Sequence, residues 1–277
     1  MVARRHGRTG AALVAAGLAG LMACSSGCSA TGTTDDFLPT DPVELLRRAA
    51  PTLVRAGSSK ARTEMEMATG GTRVTIRGEG VYDYGHQLGR LRVLLPQDPA
   101  GTSEHRPITE LLAPGALFMK NRGAGVPADK WVRVDTATLS DGNLVTGGAT
   151  DPFTAAEVLL GTREAEYIGE TEIDGTSVRH YRGTADLTAA ARTATEGNQA
   201  PLRAAAKGFA TSEVPFDAYL DDQGRLRKVR HRFSFVNGTR DGTIAVTSTT
   251  VLYDFGVHVT VRLPRSRDIF AGRIAAD

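Results

Sequence analysis

The residues with the clearest chemical signature stand at the start of the chain, where Leu21-Met22-Ala23-Cys24 places small and apolar residues directly before a cysteine. In a bacterial lipobox such a cysteine is diacylated on sulfur and becomes the first residue after cleavage, here between Ala23 and Cys24. The context fits. Arg4, Arg5 and Arg8 make a positive start, and Gly10 to Ala23 is uncharged. That run is too short to span a bilayer as a permanent helix, which takes about 20 residues, so it reads as an export signal. The plainer alternative is secretion with a disulfide from Cys24 to Cys28. A bridge closing so short a loop restricts the unfolded chain very little. Cys28 is itself a weaker lipidation candidate, because Ser25 stands where leucine is expected.

Elsewhere the chemistry is sparse. His86, His105, His180, His231 and His258 fall in different segments, without metal-ligand spacing, so no metal site is expected. His231, on an apolar strand face, reads as a hydrogen-bonded core histidine. Asp254-Phe255-Gly256 copies a kinase tripeptide without the loops that give it meaning, and no Gly-x-Ser-x-Gly elbow or phosphate loop occurs. No catalytic residue and no cofactor is expected. The run Arg225, Arg227, Lys228, Arg230 and Arg232 reads as the solvated face of a strand, or else as a surface for lipid head groups or an acidic partner.

The elements around these residues follow from period and composition. The 277 residues carry a net charge of +2, and removing residues 1–23 with their three arginines leaves the chain close to neutral. A nucleic-acid partner is not expected. Residues 24–40, rich in Ser, Thr, Gly and Asp, read as a tether, and 41–277 as a single domain, expected to be a monomer. Asp41-Pro42 opens an amphipathic helix that Pro51 should bend or split. From Arg73 the period becomes 2, with Val74, Ile76, Gly78, Gly80, Tyr82 and Tyr84 on one side of a long strand. The two glycines mark a bend or a close approach by another element. A second helix opens at Asp151-Pro152, and Ala185 to Ala206 should be helical in pieces, broken at Gly197 and Pro201.

Strands are expected at 91–95, 115–120, 131–135, 166–169, 177–183, 216–221, 225–236, 243–253 and 257–263, joined mostly by short turns such as Asp174-Gly175. The fold class is therefore α+β: a strongly curved antiparallel meander, one face wet, with helices packed on its concave apolar face.

In order and spacing, Lys130-Trp131-Val132-Arg133-Val134-Asp135, Asp151-Pro152, Tyr181-Arg182-Gly183-Thr184-Ala185-Asp186, Phe216 to Asp221 with Arg225-Leu226, and Tyr253-Asp254-Phe255-Gly256 leading to Pro264 resemble the LppX/LprA/LprF/LprG lipoproteins. The resemblance implies a half-barrel related to the carrier LolA, with an apolar cavity for acylated lipid or lipoglycan. It implies membrane attachment through the lipid anchor on the extracytoplasmic face, and a membrane transporter or other protein as partner. The loops Asp98 to Arg106 and Asp141 to Thr150 are long by comparison and are expected to reshape the cavity mouth. For the cavity wall, alternation and the concave-face expectation single out Val74, Ile76, Tyr82, Leu91, Val93, Phe118, Val132, Phe233, Phe235, Val259 and Val261. The rival is an interaction or sensor module of the same fold, its concavity closed by its own helices.

Overall fold

A computed structural model describes residues 41–69, 72–96, 106–123, 125–147, 149–237 and 242–272. The export segment, Ala23, Cys24, the tether and most of the loop from Asp98 lie outside the described residues. The opening helix is split as Pro51 dictates, into α1 (Pro42–Arg47) and α2 (Ala49–Ala56). Asp41 caps α1 by accepting from the Val43 N–H at 3.1 Å. Pro51 lacks the N–H that would bond to the Arg47 carbonyl, so the chain restarts its helix after Arg48.

Eleven strands follow: β1 (Ser58–Thr69), β2 (Thr72–Asp83), β3 (Leu88–Leu94), β4 (Ile108–Ala113), β5 (Ala116–Lys120), β6 (Val132–Asp135), β7 (Thr162–Ile173), β8 (Thr176–Asp186), β9 (Glu213–Leu220), β10 (Leu226–Asn237) and β11 (Gly242–Tyr253). They form one open sheet in the order β6-β5-β4-β3-β2-β1-β11-β10-β9-β8-β7. Two meanders, β1 to β6 and β7 to β11, are thus joined by the antiparallel β1–β11 pair. Asp174 and Gly175 both take positive φ, as the tight hairpin between β7 and β8 requires.

Three helices complete the fold: α3 (Pro152–Val158), α4 (Leu187–Thr193) and α5 (Glu196–Gly208). The alanine-rich stretch breaks at Ala194-Thr195, whereas Gly197 and Pro201 both lie within α5. Gly197 is needed for contact instead: a Cβ there would sit 2.6 Å from the Pro114 side chain in the β4–β5 turn.

That contact shows the sheet is curled. β4 and β8 are seven strand spacings apart, roughly 33 Å on a flat sheet. The chain from Asp186, at the end of β8, to Gly197 spans only about 25 Å once α4 is helical. Only a curved sheet brings β8 and the β4–β5 turn within that reach.

The register fixes which side chains share the concave face. One row runs Ile108, Val93, Gly78, Thr63, Thr250, Val229, Ala218, Tyr181 and Tyr167 across nine strands. Helices α2 and α3 lie over β1, β10 and β11. The segment before α3 crosses the same face, where Ala149 meets the space left by Gly78 and Thr150 bonds Ser248 at 2.6 Å between hydroxyl oxygens. Both inner glycines thus serve close approaches, Gly80 being pressed against the Arg90 backbone of β3. The loop Asp141 to Thr150, expected to reshape the mouth, instead packs into the concavity through its last residues.

Candidate ligand site on the concave face

Ile76, Tyr82, Leu91, Val93, Val132 and Phe233 lie on the concave face and are buried, Leu91 and Val93 completely. Apolar side chains from α2, α3 and the 144–149 segment fill the space above the sheet centre: Leu53, Phe153, Ala156, Leu144 and Ala149 are each at most 1% exposed. Tyr82, Tyr84 and Phe153 form a tilted aromatic trio with centroids 5.2–6.2 Å apart. The two tyrosine hydroxyls are bonded, Tyr84 to Ser59 at 2.6 Å and Tyr82 to the Asp151 carboxylate at 3.3 Å.

Val74 and Phe235 also face inward but are only half-buried. Register puts Val74 beside Met67 and Phe235 beside Ile244, and both partners are half-buried too. This apolar group sits at the sheet end where the β1–β2 and β10–β11 hairpins turn. Phe209, after α5, closes one side of it, stacked on Phe233 at 4.9 Å and edge-on to Phe235 at 4.7 Å. Met67, Ile244 and Phe209 were not legible as site residues. Met67 and Ile244 do fall at alternating positions of their strands, but Phe209 follows a helix and carries no periodic signal.

Three expected wall residues are elsewhere. Phe118 pairs with Leu111 and Arg133 on the convex face, where it packs with Leu111, Ala116, Trp131, Val261 and Ile269. Residues 257–263 form no strand: positive φ at Asp254 and Gly256 turns the chain away after β11. The tail then crosses the convex face, so Val261 covers Phe118 there, and Val259 lies in the same non-strand segment. An extended chain lying on a sheet alternates just as a strand does, which is why the pattern misled. In Ala116-Leu117-Phe118-Met119 both faces are apolar, and alternation gives no parity.

The concave centre also holds polar groups with unusual protonation. Glu110 on β4 is fully buried, and neither carboxylate oxygen has a hydrogen-bond partner among the described residues. Burial pushes its pKa up to about 8, with the Arg122 charge pulling the other way. Asp151 is pushed up to about 6 by burial, although the Phe153 and Thr154 backbone N–H groups it caps favour the anion. His231 is buried but not hydrogen-bonded at Nε2, contrary to expectation, and burial depresses its pKa to about 3. The Thr63 and Thr250 hydroxyls, neighbours across β1 and β11, are likewise buried without a partner among the described residues.

On the convex face, Lys228, Arg230 and Arg232 share a side, as the alternation predicts. Asp217 gathers Arg232 at 2.5 Å, His180 at 2.9 Å and Arg182 at 3.2 Å. Burial alone would raise the Asp217 pKa; these donors outweigh it and hold the carboxyl below its usual range. Arg225 is tied to Asp221 at 2.8 Å, and both Arg225 and Arg227 lie over the Phe255 ring. Part of the basic run is therefore structural.

No protein-family model matches the sequence, and no curated protein matches it. Solved structures similar to it include the lipoprotein LppX of Mycobacterium tuberculosis, at 10% identity and a TM-score of 0.45, over 79% of this chain and 97% of that one. LprF from Mycobacterium bovis is 13% identical with a TM-score of 0.41, over 80% and 96%. A putative outer membrane lipoprotein-sorting protein domain from Vibrio parahaemolyticus is 10% identical with a TM-score of 0.32, over 79% and 93%. The first two bear names of the group that the motif order resembles.

Proposed function

We propose that the chain is a non-enzymatic, membrane-anchored extracytoplasmic lipoprotein, acylated at Cys24, that takes the acyl chains of a lipid or lipoglycan on its concave face. The observation that carries this reading is the half-buried group of Met67, Val74, Phe235 and Ile244. Four apolar side chains from four neighbouring strands face inward at one end of the sheet without being fully covered. Covering them with hydrocarbon is favourable by roughly 25 cal/mol per Å² of apolar surface removed from water. The reading places the ligand at this end, since Leu91, Val93 and Phe233 are already enclosed by protein.

Native mass spectrometry after detergent-free purification tests it. Bound lipid, lost when Val74 and Phe235 are both replaced by aspartate, is the expected result; a lipid-free protein whose stability added lipid does not change would overturn it. The packed centre favours the second reading, a protein-interaction module of the same fold. A stoichiometric protein co-purifying with the lipid-free chain would establish that instead.

A further inference from the structure

The two edges of the sheet are finished differently. At one, β6 has only four residues, and the tail bridges its start: the Trp131 N–H donates to the Asp268 carbonyl and the Phe270 N–H to that of Trp131, both at 2.8 Å. At the other, β7 runs for 12 residues and pairs only with β8. Helix α1 packs against β7, and Arg47 donates to the Thr162 carbonyl at 2.6 Å. From Glu164 to Ile173 every residue is exposed or half-buried. Among the described residues no strand takes up the backbone N–H and C=O groups that point outward there.

Edge strands are ordinarily blunted by shortness, proline, lysine or a covering element. β7 is long and has no proline or lysine, and its guard is two bulges and negative charge. Glu164, Glu166, Glu170 and Glu172 are all exposed, against Arg163, which pairs with Asp186 at 3.7 Å. Register sets Arg182 opposite Glu166 and Arg179 opposite Glu170. Both arginines turn inward, Arg182 to Asp217 at 3.2 Å and Arg179 to the Asp221 carbonyl at 3.3 Å. Asp174, at the hairpin tip, is paired with Arg62. Among the described residues the four glutamates thus keep no ion-pair partner of their own. The bulge at Ile168 sends them to both faces: Glu164 and Glu166 lie on the convex side with Arg182, Glu170 and Glu172 on the concave side with Arg179. Between the two pairs, Tyr167 and Ile168 are 50% and 43% exposed.

We propose that the outer edge of β7, from Glu164 to Ile173, docks an extended basic segment of a partner protein, which adds to the sheet as a further strand and sets lysine or arginine side chains against the four glutamates. An apolar residue at the middle of that segment would cover Tyr167 and Ile168. The open stretch offers roughly 30 Å of strand. Main-chain hydrogen bonds would supply the affinity and the carboxylates the choice of partner. A second copy fits less well, because pairing two β7 edges would bring both sets of glutamates together. The proposal goes beyond the lipid reading and does not depend on it.

The test uses the chain from residue 24 with Cys24→Ser, so that no acyl anchor contributes. The probe is a synthetic peptide of about ten residues, with lysine at alternate positions and a central valine, titrated at physiological salt. Saturable binding by fluorescence anisotropy, with amide exchange slowed in β7 alone, is the expected result. Glu170→Lys with Glu172→Lys should weaken binding about tenfold or more, and the same peptide N-methylated along its backbone should not bind although its charge is intact. Glu79→Lys with Glu213→Lys makes the same charge change at exposed positions on the interior strands β2 and β9, and should leave affinity within about twofold. All four positions are exposed, so the variants should fold, which thermal unfolding checks. No binding, comparable binding of the N-methylated peptide, slowed exchange outside β7, or equal losses from the two variant pairs would overturn the proposal. So would a dimer in sedimentation that Ile168→Lys disperses and the peptide does not, which would give the edge to a second copy. Bound lipid, found or missing, bears on the carrier reading alone.

Discussion

The two halves of the concave face are built on opposite terms. The centre, around Leu91, Val93, Thr63, Thr250 and His231, is filled by the chain's own helices and the 144–151 segment, yet it encloses polar atoms that have no partner. The hairpin end, around Met67, Val74, Phe235 and Ile244, is apolar and only partly covered. Dense packing holds one conformation and leaves no room, at the desolvation cost of the orphaned polar groups; incomplete cover over purely apolar groups costs the empty protein stability and rewards a hydrocarbon guest.

The largest effect should come from truncating the fully enclosed ring at the border between the two halves, Phe233, which shares a register row with Met67 and Val74. Phe233→Ala removes a buried ring stacked on Phe209 and should cost about 3–5 kcal/mol in urea unfolding. Phe235→Ala, two residues along the same strand, should cost less than half as much while lowering bound lipid. Equal costs would mean the hairpin end is as tightly built as the centre, and the distinction between the halves would fail.

Next in size is the pH dependence of the centre. Folded Glu110 keeps its proton up to about pH 8, whereas the unfolded chain gives it up near 4.5. The folded state therefore binds more protons across that window, and stability falls as pH rises through it. Asp151 adds a smaller fall in the same direction, ending near pH 6. His231 acts oppositely: the unfolded imidazole protonates below 6.5 while the folded one stays neutral to about 3, so stability falls as pH drops through that range. Above pH 6.5 Glu110 acts nearly alone among the three. Glu110→Gln should flatten the decline between pH 6.5 and 8 and raise the melting temperature at pH 8, and His231→Phe should remove part of the acid-side loss. A melting temperature of the Gln variant that tracks the parent's from pH 6.5 to 8 would show that Glu110 has an unseen partner.

How much of this was readable beforehand depended on whether one face of a strand was charged. Along β2, Arg73, Thr75, Arg77 and Glu79 mark the outer side, so Val74, Ile76 and Tyr82 were assigned inward, where they lie. In β5 the tail supplies a second apolar cover, and the parity of Phe118 was lost. Gly78 and Gly80 announced a close approach without saying by what, because Ala149 sits in a segment with no period. The orphaned Glu110 was invisible: a lone glutamate among apolar residues of a short strand looks the same in sequence whether it faces water or Leu91, its partner across β3.

The smallest expected effect discriminates best between the halves. Thr63→Val and Thr250→Val each replace an unpaired buried hydroxyl with a methyl of similar shape. Losing a hydroxyl that makes no hydrogen bond removes a desolvation cost and no interaction, so stability should be unchanged or rise by about 1 kcal/mol. Thr63 and Thr250 face each other across β1 and β11, so the double variant should show any coupling between them in a mutant cycle. A cost of about 1–3 kcal/mol would mean instead that the hydroxyls are satisfied in solution by a bound polar group. The centre would then be the polar half of the ligand site, continuous with the apolar half at the hairpin end.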